Sequence, residues 1–236
     1  MESVSLQPQR MSMSPLRRLA IVLALTAFGP RAGHAELLFE DRFDKELSDR
    51  WEIVGLTKED YRLRNGGLEV RIQPQQGGDK TPMLKIMLPF TIEDTAIASV
   101  EVTVLDEFTH EGEGAALCLL DETGVDFTVQ KQRIEGGLFF APGEYRFAGK
   151  DGEEGNPAKY HVHYTPATNA AGPLRIVTRG DHAYFMVGPS EEGKYQTFFH
   201  SAVNPKPKRR GFALRAGGGK PGDNHWVRYD NFRVTK

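Results

Sequence analysis

The sequence predicts an all-β protein, a two-sheet antiparallel β-sandwich of the jelly-roll kind, and three observations carry that expectation. Short apolar alternations with a period of two recur through residues 36–236, separated by Gly, Pro, Asn and Asp turns. No segment shows the 3.6-residue apolar period of a helix long enough for a βαβ unit. Two further alternations, 37–43 and 225–235, stand at opposite ends of that stretch, and each needs a partner to cover its edge. Pairing them closes the fold.

The first element is not part of the sandwich. Arg10, Arg17 and Arg18 precede the apolar run 19–28, which is followed by Gly29-Pro30 and the small residues Ala32, Gly33 and Ala35. This is the pattern of a secretory signal peptide, residues 1–35, cleaved near Ala35. The apolar run is too short to cross a bilayer, which takes roughly 20 residues, so no stable membrane insertion is expected. The expected location is secreted or periplasmic. Loss of the four arginines and one glutamate of residues 1–35 moves the formal charge from −2 to −5. A mildly acidic chain with no basic stripe is not a nucleic-acid binder.

Strand candidates then follow in order. Residues 61–64 and 68–72 alternate apolar with charged and flank Asn65-Gly66-Gly67, a hairpin loop whose glycines accept positive φ. Residues 83–88 form a further apolar run. In 96–105, Ala98, Val100, Val102 and Val104 share one face, while Ser99, Glu101 and Thr103 share the other. Ala115 to Leu120 is apolar throughout and holds the single cysteine, Cys118, read as a buried inert thiol. In 125–131, Val125, Phe127 and Val129 oppose Asp126, Thr128 and Gln130; in 159–164, Tyr160, Val162 and Tyr164 oppose Lys159, His161 and His163. A hairpin over 174–187 turns at Arg179-Gly180-Asp181-His182. Strands at 195–200 and 211–215 complete about a dozen, the number expected of a sandwich or jelly roll. The basic stretch 206–210 reads as a solvated connection.

The closing element is less simple. Val227 and Tyr229 share one parity, Phe232 and Val234 the other, so one unbroken strand cannot bury all four on one face. A β-bulge at Asp230-Asn231 resolves the conflict.

Several of these stretches carry a resemblance. Phe39-Glu40-Asp41-Arg42-Phe43, Leu47, Trp51 and the run 61–70, together with 174–181, 211–216 and 229–234, resemble a concanavalin A-like lectin/glucanase domain over residues 36–236. The resemblance implies a jelly roll with one concave sheet, which in many relatives binds glycans. Relatives also include 3-keto-disaccharide hydrolase-like domains and C-terminal modules of glycosidases.

Catalytic patterns mostly fail. Retaining glucanases need a nucleophile and an acid about 5 Å apart, and the Glu-x-Asp pattern that supplies them is absent. Glu111 and Glu113 lie in a Gly-rich stretch and read as solvated loop charge. Gly217, Gly219 and Gly222 mimic a dinucleotide fingerprint, but Pro221 lies inside it and no helix follows; the stretch reads as a flexible loop. No elbow serine or zinc-helix motif occurs. The expected function is therefore carbohydrate binding without catalysis, the alternatives being a glycoside hydrolase using Glu101, Glu111 or His161, or an envelope adhesion domain. Sugar contacts are expected from Glu101, Gln130, His161, His163, Arg175, Tyr184, Tyr195 and Trp226, since saccharides want aromatic platforms beside polar side chains. No cofactor is expected beyond a structural calcium, for which Asp41 and Asp230 offer hard oxygen ligands if the termini pair.

Overall fold

The structure, a computed structural model, describes residues 35–74, 81–91, 94–145, 164–188, 194–203, 207 and 209–236. Residues 1–34 of the expected signal peptide (1–35), and most of the strand expected over 159–164, including His161 and His163, lie outside the described residues.

Sixteen strands follow one another: β1 (Leu37–Asp41), β2 (Glu52–Val54), β3 (Tyr61–Arg64), β4 (Gly67–Arg71), β5 (Gln73–Pro74), β6 (Met83–Leu88), β7 (Ala96–Val104), β8 (Gly114–Asp121), β9 (Gly124–Ile134), β10 (Gly137–Tyr145), β11 (Thr165–Pro166), β12 (Ala171–Arg179), β13 (His182–Val187), β14 (Gln196–Ala202), β15 (Arg210–Gly219) and β16 (Trp226–Thr235). They form two sheets. The first runs β14-β13-β12-β7-β16-β4-β3 with β1 beside β16, and the second β11-β10-β9-β8-β15-β6-β2 with β5 beside β15. Among the described residues there is no helix. Apart from the parallel pair β5·β15, all pairings are antiparallel, so the expected two-sheet sandwich is the observed one.

Most strands turn one parity into the core, while β8 is buried on both faces. Ala98, Val100 and Val102 from β7 meet Leu117, Leu119, Phe127, Phe212 and Leu214 from the second sheet in one core. A fully buried Leu or Phe of this kind contributes about 1.5–3 kcal/mol, so this face decides stability. The Asn65-Gly66 turn has φ of 53° and 72°, which fits the right-handed strand twist.

The two ends of the sandwich pair as the alternations require. β1 runs against β16, with Phe39 opposite Val234 and Asp41 opposite Phe232. On the other side of β16 the register with β7 shifts between Asp230 and Arg233, and Asn231 has a φ of 52°. That bulge lets Val227, Tyr229, Phe232 and Val234 all reach the core. Phe39, Phe43, Trp51 and Phe232 pack as one aromatic group around the junction.

Three sequence expectations are corrected. A register shift opposite Leu119 and Leu120 turns Val125 away from Phe127, onto a small outer apolar cluster with Ala116, Cys118 and Leu120. Arg210 is not solvated: it is fully buried, and Nη1 donates to Asp126 Oδ2 at 3.1 Å. Gly217 and Gly219 are not loop but the end of β15, paired with Gln73 and Pro74.

Candidate functional site

The outer face of the second sheet is shaped by what its residues lack. Because Phe127 and Val129 face the core, Gln130 and Gln132 on β9 face outward. Their cross-strand neighbours on β8 are Ala116 and Gly114, and beyond these on β15 stand Arg215 and Gly217. Glycine and alanine cannot fill the space between the long side chains, and a cleft of about 260 Å³ remains, bounded also by Gln73 and Pro82. Its polar groups are held in place: Gln130 Nε2 donates to Gln132 Oε1 at 2.8 Å, and Gln132 Nε2 to the Gly112 carbonyl at 3.1 Å. Beside Gln132 on the neighbouring strand is Phe139, whose ring meets the exposed Tyr164 edge-on at 6.4 Å.

The floor is fixed from inside. Tyr229, on β16 of the first sheet, spans the core; its hydroxyl donates to the Arg215 carbonyl at 2.6 Å and accepts from the Ala116 N–H at 3.2 Å. Burial holds that phenol far above its ordinary range, so it stays protonated and keeps donating.

The predicted sugar contacts are not gathered there. Of those among the described residues, only Gln130 lines the cleft; Glu101, Arg175, Tyr184 and Trp226 belong to the first sheet, on the face turned away from the core. Their partners there are already made. The Arg62 guanidinium covers the Trp226 ring at 3.9 Å, Arg175 lies over Tyr195 at 4.2 Å, and Tyr184 clusters with His182 and His200. One shared site for Glu101 and Gln130 is thereby excluded, because alternation sends them to opposite faces of the sandwich. His161 and His163 lie outside the described residues.

Glu101 keeps an unusual environment. It pairs across the ladder with Asp230, and its carboxyl is held above the usual range by desolvation and by Asp230, against the pull of Lys131. Lys131 is buried on the core side of β9, its Nζ within reach of the Val102, Asn169 and Ala170 carbonyls at 3.4, 3.5 and 3.1 Å and 5.4 Å from the Phe140 ring centre. Desolvation pushes this amine down to about 8, and Glu101 opposes the shift.

The carboxylates proposed for calcium are each engaged separately. Asp41 accepts the N–H groups of Phe43, Ser48 and the Trp51 indole, whereas Asp230 takes two hydrogen bonds from Arg228. Glu111 caps the β9–β10 turn by accepting from Glu135 and Gly136, which accounts for it structurally. Its neighbour Glu113 overturns the solvated-loop reading: it is completely buried, and with Asp223 and His225 it is among the groups able to hold a metal. The missed signal was a carboxylate set between two glycines, with two histidines and an aspartate in loops that the strand order brings together.

Fold and face together define a class, a two-sheet antiparallel sandwich with a small-residue cleft on one outer surface. No protein-family model matches the sequence, and no curated protein matches it. Solved structures share the fold. They include the GH43 protein BlXynB from Bacillus licheniformis (14% identity, TM-score 0.60, covering 83% of this chain and 39% of that one). A xylan β-1,4-xylosidase from Bacillus halodurans C-125 matches at 12% identity and TM-score 0.56, over 84% of this chain and 39% of that one. The CBM2 module of the evolved Dit of Lactobacillus casei BL23 phage J-1 matches at 11% identity and TM-score 0.59, over 85% and 95%. The chain thus spans about two fifths of the two Bacillus proteins and nearly all of the phage module.

Proposed function

We propose that this protein binds carbohydrate in the cleft of the second sheet, without chemistry of its own. The observation that carries the reading is the cleft's make-up: two carboxamides and a guanidinium converge over a floor of glycine and alanine, beside the rings of Phe139 and Tyr164. Carboxamides donate and accept at once, which suits the vicinal hydroxyls of a sugar, and ring faces suit its C–H faces. The sandwiches that share this architecture point the same way, one being named as a xylan-active enzyme and another as a CBM2 module. We read the sandwich as concanavalin A-like and the protein as exported, with residues 1–35 as its leader.

The test is calorimetric titration of the purified protein with xylan and xyloglucan oligosaccharides and mucin glycans. Saturable binding is expected, weakened at least about tenfold in Gly217→Leu, whose side chain would fill the cleft. At residue 217 a Cβ meets nothing closer than the Gln73 carbonyl at 3.8 Å, so a β-carbon fits there, and a melting temperature like the parent's would show the variant folded. Silence across the panel, or binding untouched by that substitution, sinks the reading.

A hydrolase is the second reading, favoured by one observation: Glu101, its carboxyl pushed up, stands across the ladder from Asp230. Sugar release that disappears in Glu101→Gln would support it, and intact substrate after prolonged incubation would remove it.

A further inference from the structure

Two loops meet at one end of the cleft, and the chemistry of their side chains differs from that of the cleft. The stretch before β8 brings His110 and Glu113; the stretch before β16 brings Asp223 and His225. Ligand atoms of Glu113, Asp223 and His225 all lie within 4.8 Å of one another. His225 Nδ1 is 2.8 Å from Glu113 Oε1, and His110 Nε2 is 3.4 Å from Asp223 Oδ1.

Both carboxylates are oriented in the same way. Glu113 commits Oε2 to the backbone N–H groups of Thr109 and His110, at 2.6 and 3.0 Å, and turns Oε1 toward an imidazole. Asp223 commits Oδ2 to the Lys220 N–H at 2.5 Å and turns Oδ1 toward the other imidazole. One oxygen anchored by the backbone and one presented is how outer-shell donors orient a metal-ligating carboxylate. The space between them is kept open by Gly219, where a Cβ would stand 3.1 Å from Asp223 Oδ2 and 3.6 Å from Glu113 Oε1. Glu113 is wholly buried, while His110 and His225 are 30% and 20% exposed on their side chains, which gives an ion a way in.

We propose that Glu113, Asp223 and His225 bind one divalent cation of the zinc type, with His110, which stands outside that 4.8 Å group but 3.4 Å from Asp223 Oδ1, drawn in as the fourth ligand. Two imidazole nitrogens and two carboxylate oxygens make a four-ligand set of the borderline kind that zinc takes, whereas calcium wants six to eight oxygens. On binding, His225 gives up its hydrogen bond to Glu113 and the four groups draw inward to about 2.0–2.2 Å from the ion. The site is separate from the glycan reading. Yet it borders the cleft, since Gly112 and Gly114 flank Glu113, Gly218 precedes Gly219, and all three glycines line the cleft.

Zinc chloride titrated into the purified, tag-free protein tests the proposal, with calcium chloride in parallel and cobalt as a coordination probe. One zinc per chain is expected, with a four-coordinate cobalt absorption spectrum and a chelator-reversible rise in melting temperature. His225→Gln and His110→Gln should each weaken zinc at least about tenfold, while His182→Gln and the pair His161→Gln and His163→Gln leave it unchanged. Melting without metal shows that the variants are folded. Absence of one-to-one zinc binding, binding undiminished in both His110 and His225 variants, an adventitious ion only, or preference for calcium would each overturn it.

Discussion

The outer faces of the two sheets solve the same exposure problem in opposite ways. On the first, long side chains cover one another: Arg62 lies on Trp226 and pairs with Glu69, and Arg228 grips Asp230 across the side-chain-free surface of Gly67. On the second, glycine, alanine and two glutamines leave room, and the room is the cleft. The face with more aromatic and charged residues is therefore the one already occupied by itself. A binding surface is marked by volume left vacant beside polar groups, rather than by the aromatics alone.

The comparison can be tested from its centre outward. The largest effect is expected where Lys131 crosses from the second sheet toward Val102 and Glu101 of the first. Its folded pKa of about 8 lies below the ordinary 10.5, so between those values the unfolded chain holds a proton that the folded protein has lost. Stability contributed by this group therefore rises with pH across that window, by about 3 kcal/mol, at 1.36 kcal/mol per unit. Urea unfolding at pH 7.5 and 10.5 should show the rise in the native protein and a much smaller one in Lys131→Met.

Adding a single methyl to each face sharpens the contrast. Gly67→Ala puts a Cβ against the Arg228 guanidinium and the Asp230 carboxylate, which must separate or shift. A loss of about 2 kcal/mol in urea unfolding is expected, as for other overpacked sites. Tyr229→Phe, beneath the cleft, leaves the Arg215 carbonyl and the Ala116 N–H without the hydroxyl and should cost about 1.5 kcal/mol. Gly217→Ala, on the open face, should stay within about 0.5 kcal/mol of the parent. Equal costs at positions 67 and 217 would erase the distinction between a filled face and an open one.

Much of the frame was legible because a period of two is a strict rule. The bulge at Asp230-Asn231 followed from parity, the Asn65-Gly66 turn from residues that accept positive φ between two alternating arms, and the pairing of residues 37–41 with β16 from two edges that need cover. Lys131 is assigned to neither face from sequence, and nothing in the sequence says how a buried amine is satisfied. The site was less legible. Glu101 and Gln130 look alike as outward polar residues of apolar strands, and the order of strands in each sheet decides which surface they reach. Val125 escaped because one bulge reverses a parity, and Glu113 because alternation is silent about loops. Arg210 was mistaken for a loop cation because its partner, Asp126, lies on a different strand of the same sheet.

The place of β16 joins the last of the sixteen strands to the middle of a sheet. That strand sits in the interior of the first sheet, with β7 on one side and β4 and β1 on the other. During synthesis the strands on both sides must wait for it, because local pairing alone cannot complete that sheet. Such distant closure makes for slow folding, governed by chain entropy rather than by hairpin formation. The same strand brings the hydroxyl that props up the cleft floor from below. The cleft floor is therefore complete only once β16 is in place, and a chain ending before residue 226 would hold the two glutamines without the Tyr229 hydroxyl beneath them.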